Sequence, residues 1–504
     1  MKNSIKILLA ILLVGIAGSC KKLTEQEFGE LSPQTYYQNQ SEALSSVAGV
    51  YAALSNIQGV SSEWTISEEG SDEFICPGRA SGGWYDQNNV DIYEHNVTTA
   101  NQTVSGAWSD LFHDIGLANN VITSLQASPI ATQLKPEIAE CRTLRAWAYL
   151  YALDFWGNVP IVTAALIDQN NLPKTSTRAQ VAAFVETELI AAAADLPSVK
   201  TITQASYYPR LTKEAAYTAL ATLYLNDGVY TGTTRWNDVI TMCNNVINSG
   251  GYSLMPNSSD SFNVANDGKS TEVIFAFTNN PTQNANANIF IIYCQPFLDQ
   301  QRYSLPFGPA NGFSTLSEAL NRYGSKDNRL KSLEYGPQYY LDGVTPLDNS
   351  QGVQLDLVNV QSMTAALDNE GYRVLKYSPI GVTWSGYSSN CDFIQSRYSD
   401  VLLMKAEAEF RTGDVSDALI LINQVRTRSN ATPLTALTLQ DIEDERSREL
   451  IWEGQRRRDM IRFGDFFTST WEFKTTVTPA TGGLYPIPSS QIANNPNLKQ
   501  NPGY

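Results

Sequence analysis

In CRTLRAWAYLYALDF, residues 141–155, Cys141, Leu144, Ala148, Tyr151 and Phe155 recur at spacings of three and four, which sets them along one face of a helix. A stripe of that kind must be covered by another element, and the chain supplies more of them. Trp236, Ile240, Cys243 and Ile247 repeat the pattern after an alanine-rich helix read from KEAAYTALATLYL, residues 213–225. Val415, Ala418, Leu419, Ile422 and Val425 repeat it after SRYSDVLLMKAEAEFRTGD, where Gly413 can end one helix and Asp414 can cap the next. Helix, short turn and second helix, with small residues at the crossing, is a unit that stacks, and such pairs resemble tetratricopeptide units. Between them, 58–107, 251–345 and 365–393 are rich in Asn, Gly, Ser, Pro and aromatic residues. Loops of that length in a compact protein are usually functional or disordered, and their aromatic content argues against disorder. The fold expected is mainly α, a helical scaffold supporting a large irregular face with a few short strands.

The first 22 residues, MKNSIKILLAILLVGIAGSCKK, read as an export signal, because the apolar run from Ile7 to Ala17 is far shorter than the ~20 residues of a membrane span. Cys20 follows three small residues and is the expected lipidation site, so the reading is a signal peptide over 1–19, a polar acidic tether over 20–32, and a single domain over 33–504 with halves of about 33–250 and 251–504. The net charge of −16 disfavours nucleic acid as a partner and suits a neutral ligand. Besides Cys20 there are five scattered cysteines, and only His95 and His113 could act as imidazole bases, so neither a disulfide framework nor a metal or cofactor is called for. NVANDGKS, residues 263–270, lacks the first glycine of a phosphate loop and reads as the turn before the strand TEVIFAF.

Two segments carry the chemistry. In DERSRELIWEGQRRRDMIRFGDFF, residues 444–467, Glu445, Glu449 and Glu453 are spaced by four, with Arg456, Asp459 and Arg462 beyond; on one helix this is an ion-pair lattice that locks the helix to its neighbours rather than a catalytic pair. SDEFICPGRASGGWYDQ, residues 71–87, has residue types suited to a sugar: Trp84 and Tyr85 could stack on the apolar face of a pyranose, while Asp72 and Arg79 could bond its hydroxyls. The alternative is that Trp84 plugs the loop onto the scaffold and that Asp72 and Arg79 pair with each other.

The segments LSPQTYYQNQSEALSSVAGVYAAL, AWSDLFHDIGLANNVI, AECRTLRAWAYLYALDFWGNVPIV, PRLTKEAAYTALATLYL, SRYSDVLLMKAEAEFRTGD, ERSRELIWEGQRRRDMIRFGDF and LYPIPSSQIANNPNLKQNPGY, running in this order from residue 31 to 504, together resemble the SusD/RagB family of outer-membrane lipoproteins of Bacteroidota. The resemblance implies a SusD-like fold with four tetratricopeptide-like helix pairs. It also implies a surface-exposed, lipid-anchored protein that is not an enzyme, and that captures oligo- or polysaccharide and hands it to a SusC-like TonB-dependent transporter barrel. Ser71, Asp72, Glu73, Pro77, Arg79, Trp84 and Asp86 match a family segment whose aspartate, arginine and aromatic touch sugar in starch-binding relatives. A second family segment, W-N-G, matches at Asn311 and Gly312, but Ala310 stands where the aromatic would be, which points away from a starch-like helical glucan and leaves Tyr303, Phe307 or Trp384 to supply a second platform. Two readings compete with glycan capture: a peptide-binding importer subunit of the RagB type, which an acidic surface with few exposed aromatics would favour, and a hydrolase using carboxylates within 71–94.

Overall fold

A computed structural model of the chain describes residues 37–59, 62–282 and 288–504. Cys20, the signal and the tether lie outside the described residues.

The main helices are α1 (Gln40–Leu54), α2 (Glu63–Glu68), α3 (Gln102–Gln126), α4 (Lys135–Phe155), α5 (Arg178–Asp195), α6 (Lys213–Leu225), α7 (Trp236–Ile247), α8 (Tyr398–Thr412), α9 (Val415–Arg428), α10 (Leu439–Leu450) and α11 (Arg456–Phe463). Their ends follow from short polar side chains that satisfy the first free N–H groups. Asn39 accepts from the Glu42 amide at 3.1 Å, Asn101 from Val104 at 3.0 Å, and Thr177 forms a reciprocal box with Gln180. Gly413 ends α8 at φ +98° and Asp414 caps α9, as the sequence leads one to expect.

Each long helix packs on the next: α1 on α3 and α4, then α3, α4, α5, α6, α7, α8 and α9 in succession. The stripe of α4 is buried, together with nearly every other residue from Thr143 onward, because α3 and α5 cover it from two sides. Two stripes need correction. In α7 the fully buried line is Val239, Cys243 and Val246, with Trp236, Ile240 and Ile247 only half-buried at its flanks, since the neighbours α6 and α8 sit one position round the helix. In α9 Val415 is exposed in the first turn, while Ala418, Leu421, Ile422 and Val425 face the core.

Two strands pair across 120 residues of chain. β1 (Val273–Phe277) runs antiparallel to β2 (Phe393–Arg397), with Phe277 opposite Phe393 and an irregularity in register between Val273 and Ala276. All ten residues are buried, and Phe275 packs edge-on against Trp147 of α4 at 5.3 Å, which explains the unbroken apolar run VIFAF. The irregular segment 278–392 leaves this ribbon at one strand and returns at the other. The scaffold thus fixes both ends of the loop face.

The charged segment 444–467 is not one helix. α10 stops at Leu450, and α11 begins at Arg456 after a turn in which Trp452 and Gly454 take φ of +59° and +73°. Buried partners hold the turn: the Trp452 indole donates to the Glu73 carbonyl at 2.9 Å, and Trp64 donates to the Trp452 carbonyl at 3.0 Å. Glu453 therefore lies past the helix end, yet it still joins the expected lattice. Glu449 accepts from Arg397 at 2.6 Å and Arg329 at 2.8 Å and also pairs with Arg428, while Arg397 bonds Glu272 at 2.7 Å and Glu453 at 2.6 Å. The three guanidiniums and Glu449 are all buried. The last carbonyls of α10 find donors in the same place, the Glu449 carbonyl from Arg397 at 2.6 Å and from Lys376 at 2.9 Å.

Removing Glu449 takes one carboxylate from three buried guanidiniums at once, so Glu449→Ala should lower the unfolding free energy by about 3–5 kcal/mol; denaturant titration by circular dichroism reads this directly. A second expectation concerns pH. Glu63 and Glu69 are buried without hydrogen-bond partners among the described residues, and burial pushes both carboxyls well above their usual range; burial, then the Asp110 charge, pushes Asp114 up to about 7. A carboxyl raised in the folded state contributes stability that is complete below its unfolded pKa and lost as pH rises through the folded value. The melting temperature should therefore fall between pH 5 and pH 8. Below about pH 4.5 the opposite holds, because the arginines around Glu449 hold its carboxyl well below the usual range and protonating it costs stability.

Candidate ligand-binding face

The segment 71–87 is stitched into the loop face through its backbone. Ile75 exchanges both amide bonds with Ser314 at 2.9 Å, and Gly78 and Ala80 pair with Met363 and Ala366. Asp72, Glu73 and Arg79 point inward, while Asp86 is exposed and accepts from the Asn88 amide at 2.9 Å. Asp72 is buried between Arg456, which donates at 2.7 and 2.9 Å, and Arg322; those two cations hold its carboxyl far below the usual range against the cost of burial. It does not pair with Arg79. Glu73 beside it is buried too, accepting from Ser447 at 3.0 Å, and burial raises its carboxyl to about 7.

Arg79 has no carboxylate partner among the described residues and works as a staple. Its guanidinium donates to the carbonyls of Glu370 at 2.7 Å, Leu367 at 3.1 Å and Gly312 at 2.9 Å, and to the Ser314 hydroxyl at 2.9 Å, joining three loops. Burial pushes it down to about 10. Arg373 doubles the device: it donates to Ser314 at 2.8 Å and to the Asn311 side chain at 2.6 Å, and burial, then the adjacent Arg79 charge, pushes it down to about 9. Asn311 is fully buried at φ +52°, and its amide donates to the Asp368 carbonyl at 3.0 Å. Asp72, Arg79 and Asn311 are thus committed to the protein's own groups. They shape the face from beneath.

The aromatic residues reach the surface. Trp84, at φ +65°, is half-buried; its indole donates to the Ala310 carbonyl at 2.7 Å and packs edge-on against Tyr293 at 5.3 Å and Phe313 at 5.5 Å. Gly312 lies directly beneath, and a Cβ there would fall inside the indole, which gives a steric reason for glycine after Asn311. Tyr293 also packs with Tyr303 and Trp384 around Ile292, Leu305 and Phe307. Trp384 stands edge-on to Phe307 at 4.8 Å, and Tyr387, 62% exposed, closes on the same ring at 5.1 Å. Tyr303 is half-buried under the Arg302 guanidinium, 5.1 Å from its ring. The tertiary structure thereby brings Trp84, Tyr303 and Trp384, scattered over 300 residues of sequence, into one aromatic band. Tyr85 is separate, 52% exposed on the far side of Gly78, with its hydroxyl donating to Gln87 at 2.9 Å.

An open cleft of about 530 Å³ lies at Asp368, the residue whose carbonyl Asn311 holds, with Phe297, 46% exposed, on one wall and Asn349, Asp356, Asp368 and Asn369 supplying polar groups. It is coupled to segment 71–87 by Ser81, which donates to the Asp368 carboxylate at 2.6 Å. Asn369 is fixed by its bond to the Asp356 carbonyl at 2.8 Å. None of these five stands out in the sequence, because isolated Asp, Asn and Phe in long polar loops carry no spacing signal. An apolar wall beside exposed carboxylates and amides, open to solvent, can hold a polyhydroxylated chain by stacking and by hydrogen bonds.

Two family models match the chain: one described as "SusD family" over residues 224–504 and one described as "Starch-binding associating with outer membrane" over 31–225. Among curated proteins, the starch-binding protein SusD of Bacteroides thetaiotaomicron is 28% identical over 84% of this chain and 83% of its own length. SusD-like protein P25 of Formosa agariphila is 25% identical over 98% and 97%. Among solved structures, a SusD superfamily protein of Parabacteroides distasonis superposes with a TM-score of 0.75 at 20% identity, covering 92% of this chain and 99% of its own. A laminarin-binding SusD-like protein superposes with 0.74 at 22%, covering 93% and 100%. A third, surface glycan-binding protein A of Bacteroides thetaiotaomicron in complex with laminarihexaose, gives 0.73 at 20% over 92% and 99%. These likenesses share the helical scaffold and loop face described above, and with matches that run from residue 31 to the last residue the chain belongs to the SusD family.

Proposed function

We propose that this protein captures oligo- or polysaccharide on the band formed by Trp84, Tyr293, Trp384 and Tyr387 together with the cleft at Phe297. The observation that carries the reading is the cleft itself, where the exposed ring of Phe297 stands with exposed carboxylate and amide groups; the half-buried and exposed rings of Trp84, Trp384 and Tyr387 lie in the same loop-rich part of the chain. Relatives named for binding starch and laminarin support the ligand class. Tyr85, Phe297, Tyr335, Tyr339 and Tyr387 are all exposed, and a surface that rich in aromatic rings favours a glycan over a peptide. Of the carboxylates within 71–94, Asp72 and Glu73 are adjacent, buried and held by arginine or serine, whereas glycoside cleavage needs one on each side of the bond, and Asp86 and Asp91 accept from the Asn88 amide at 2.9 Å and from Gln87 at 2.7 Å. Binding without cleavage is the reading that fits them.

The rest of the reading concerns cellular context. The protein is proposed to be a single domain over 33–504, lipid-anchored through Cys20 at the outer-membrane surface, and to pass its ligand to a TonB-dependent transporter barrel. The family model named for outer-membrane association supports the location. Among the described residues no helix is long and apolar enough to cross a membrane. Incorporation of labelled palmitate, lost in Cys20→Ala, tests the anchor.

Native affinity electrophoresis against plant, fungal and microbial polysaccharides tests the ligand. One polymer should retard the protein, and Tyr387→Ala or Phe297→Ala should each weaken retention by about 0.5–1.5 kcal/mol, at most about tenfold, without changing the melting temperature. Trp84→Ala should behave differently, lowering both retention and stability, because the indole is also packed and hydrogen-bonded. Retardation by no polymer, or equal retention in all three variants, would defeat the glycan reading.

A further inference from the structure

A second pocket, of about 270 Å³, shares no lining residue with the cleft at Phe297. Arg322 and the turn 324–327 form one side, while Arg426 of α9, Arg448 of α10 and the loop at 431–432 form the other. In a chain of net charge −16, this lining carries four cations, Arg322, Lys326, Arg426 and Arg448, against the single carboxylate of Asp327.

The cations are held from behind. Glu445 accepts from Arg426 at 2.7 Å and from Arg448 at 2.8 Å. Arg426 also donates through Nε to the Thr432 carbonyl at 2.9 Å, and Arg448 through Nη1 to the Arg322 carbonyl at 3.1 Å. Arg322 is anchored on the buried side by Asp72 and by Ser447 at 3.0 Å. Asp327 is already neutralised by Arg329 at 2.7 Å, so it offers the pocket no counter-charge. Lys326 is exposed at the mouth and forms no ion pair among the described residues. Each guanidinium has five N–H donors, and these bonds use only some of them. Glu445 and Asp72 stand behind four lining cations and offset their mutual repulsion only in part, which leaves the pocket favourable to an anion, and a guanidinium fork matches a carboxylate, sulfate or phosphate edge.

We infer that this pocket is an oxyanion site, built to take a carboxylate, sulfate or phosphate group, either free or carried on one sugar residue. Its volume lies just under the usual range for small-molecule sites, about 300–1,000 Å³, which suits an anion or a single anionic monosaccharide and not a polymer. The inference stands independently of the neutral-glycan reading, since it uses none of the same residues.

Isothermal titration of the mature chain with sodium sulfate, sodium phosphate and sodium glucuronate, each at an ionic strength fixed with sodium chloride and with glucose as the uncharged control, tests it. The expected result is saturable one-site binding of at least one anion and none of glucose, weakened about tenfold or more in Lys326→Glu and unchanged in Tyr387→Ala. Lys326 is exposed and forms no ion pair among the described residues, so the variant should keep the parental melting temperature. Preference for glucuronate would identify a sugar acid as the source; preference for sulfate or phosphate would identify a tetrahedral anion. Absence of saturable binding by all three, or binding that Lys326→Glu leaves intact, overturns the assignment.

Discussion

Glu449 sits where three buried guanidiniums meet, and the parts of the protein that do not belong to the helical stack are tied together through it. Arg397 comes from the end of β2, Arg329 from the loop face and Arg428 from the end of α9, so one carboxylate joins scaffold, ribbon and loops. Charges of this kind gain little over a well-packed apolar core, because desolvation offsets most of their attraction. What they add is geometry, since a guanidinium fork bonds only in certain directions. The same lattice runs on through Arg329 and Glu445 to Arg426 and Arg448, and Arg448 donates to the carbonyl of Arg322, whose guanidinium pairs with Asp72 in the segment that begins at Ser71.

From there the order passes to the ligand face by a second device, cationic side chains spent on carbonyl oxygens. Arg79 and Arg373 share the Ser314 hydroxyl and collect carbonyls from loops far apart in sequence. Among the described residues of 278–392 the strand ladders are only two residues long, so the backbone there needs other partners for its polar groups, and these two arginines provide several. The exposed rings can then be held by a rigid base while their faces stay open to solvent. A binding face made this way is preorganised, so less conformational entropy is lost when a ligand docks.

The opening chemistry of segment 71–87 illustrates how residue types and residue roles can part. Asp, Arg and Trp in one short loop are the groups a sugar needs, yet two of the three face inward, because buried arginines and carbonyls outcompete solvent for them. Trp84 serves both ends at once, as a plug on Gly312 and as part of the surface band. The residues better placed to touch a ligand, Phe297, Asp356, Asp368 and Tyr387, have no local pattern that marks them.

Local pattern settled what depends on local physics. The stripe of α4, the Gly413–Asp414 boundary and the charged character of 444–467 were legible because helical periodicity, capping and ion pairing act within a few residues. The family resemblance was legible for a related reason, since its motifs are those same helices and the closing segment, where Asn501 clamps the carbonyls of Trp156 and Tyr485 at 2.8 Å. α5 was not, its buried face being largely alanine and valine without contrast to its flanks, and neither was the break at Trp452, which long-range bonds to Trp64 and Glu73 impose. Which face of α7 is buried, which side Asp72 turns to and which loop residues line the cleft were decided only by tertiary packing. Each depends on partners up to several hundred residues away, and no spacing within the chain records them.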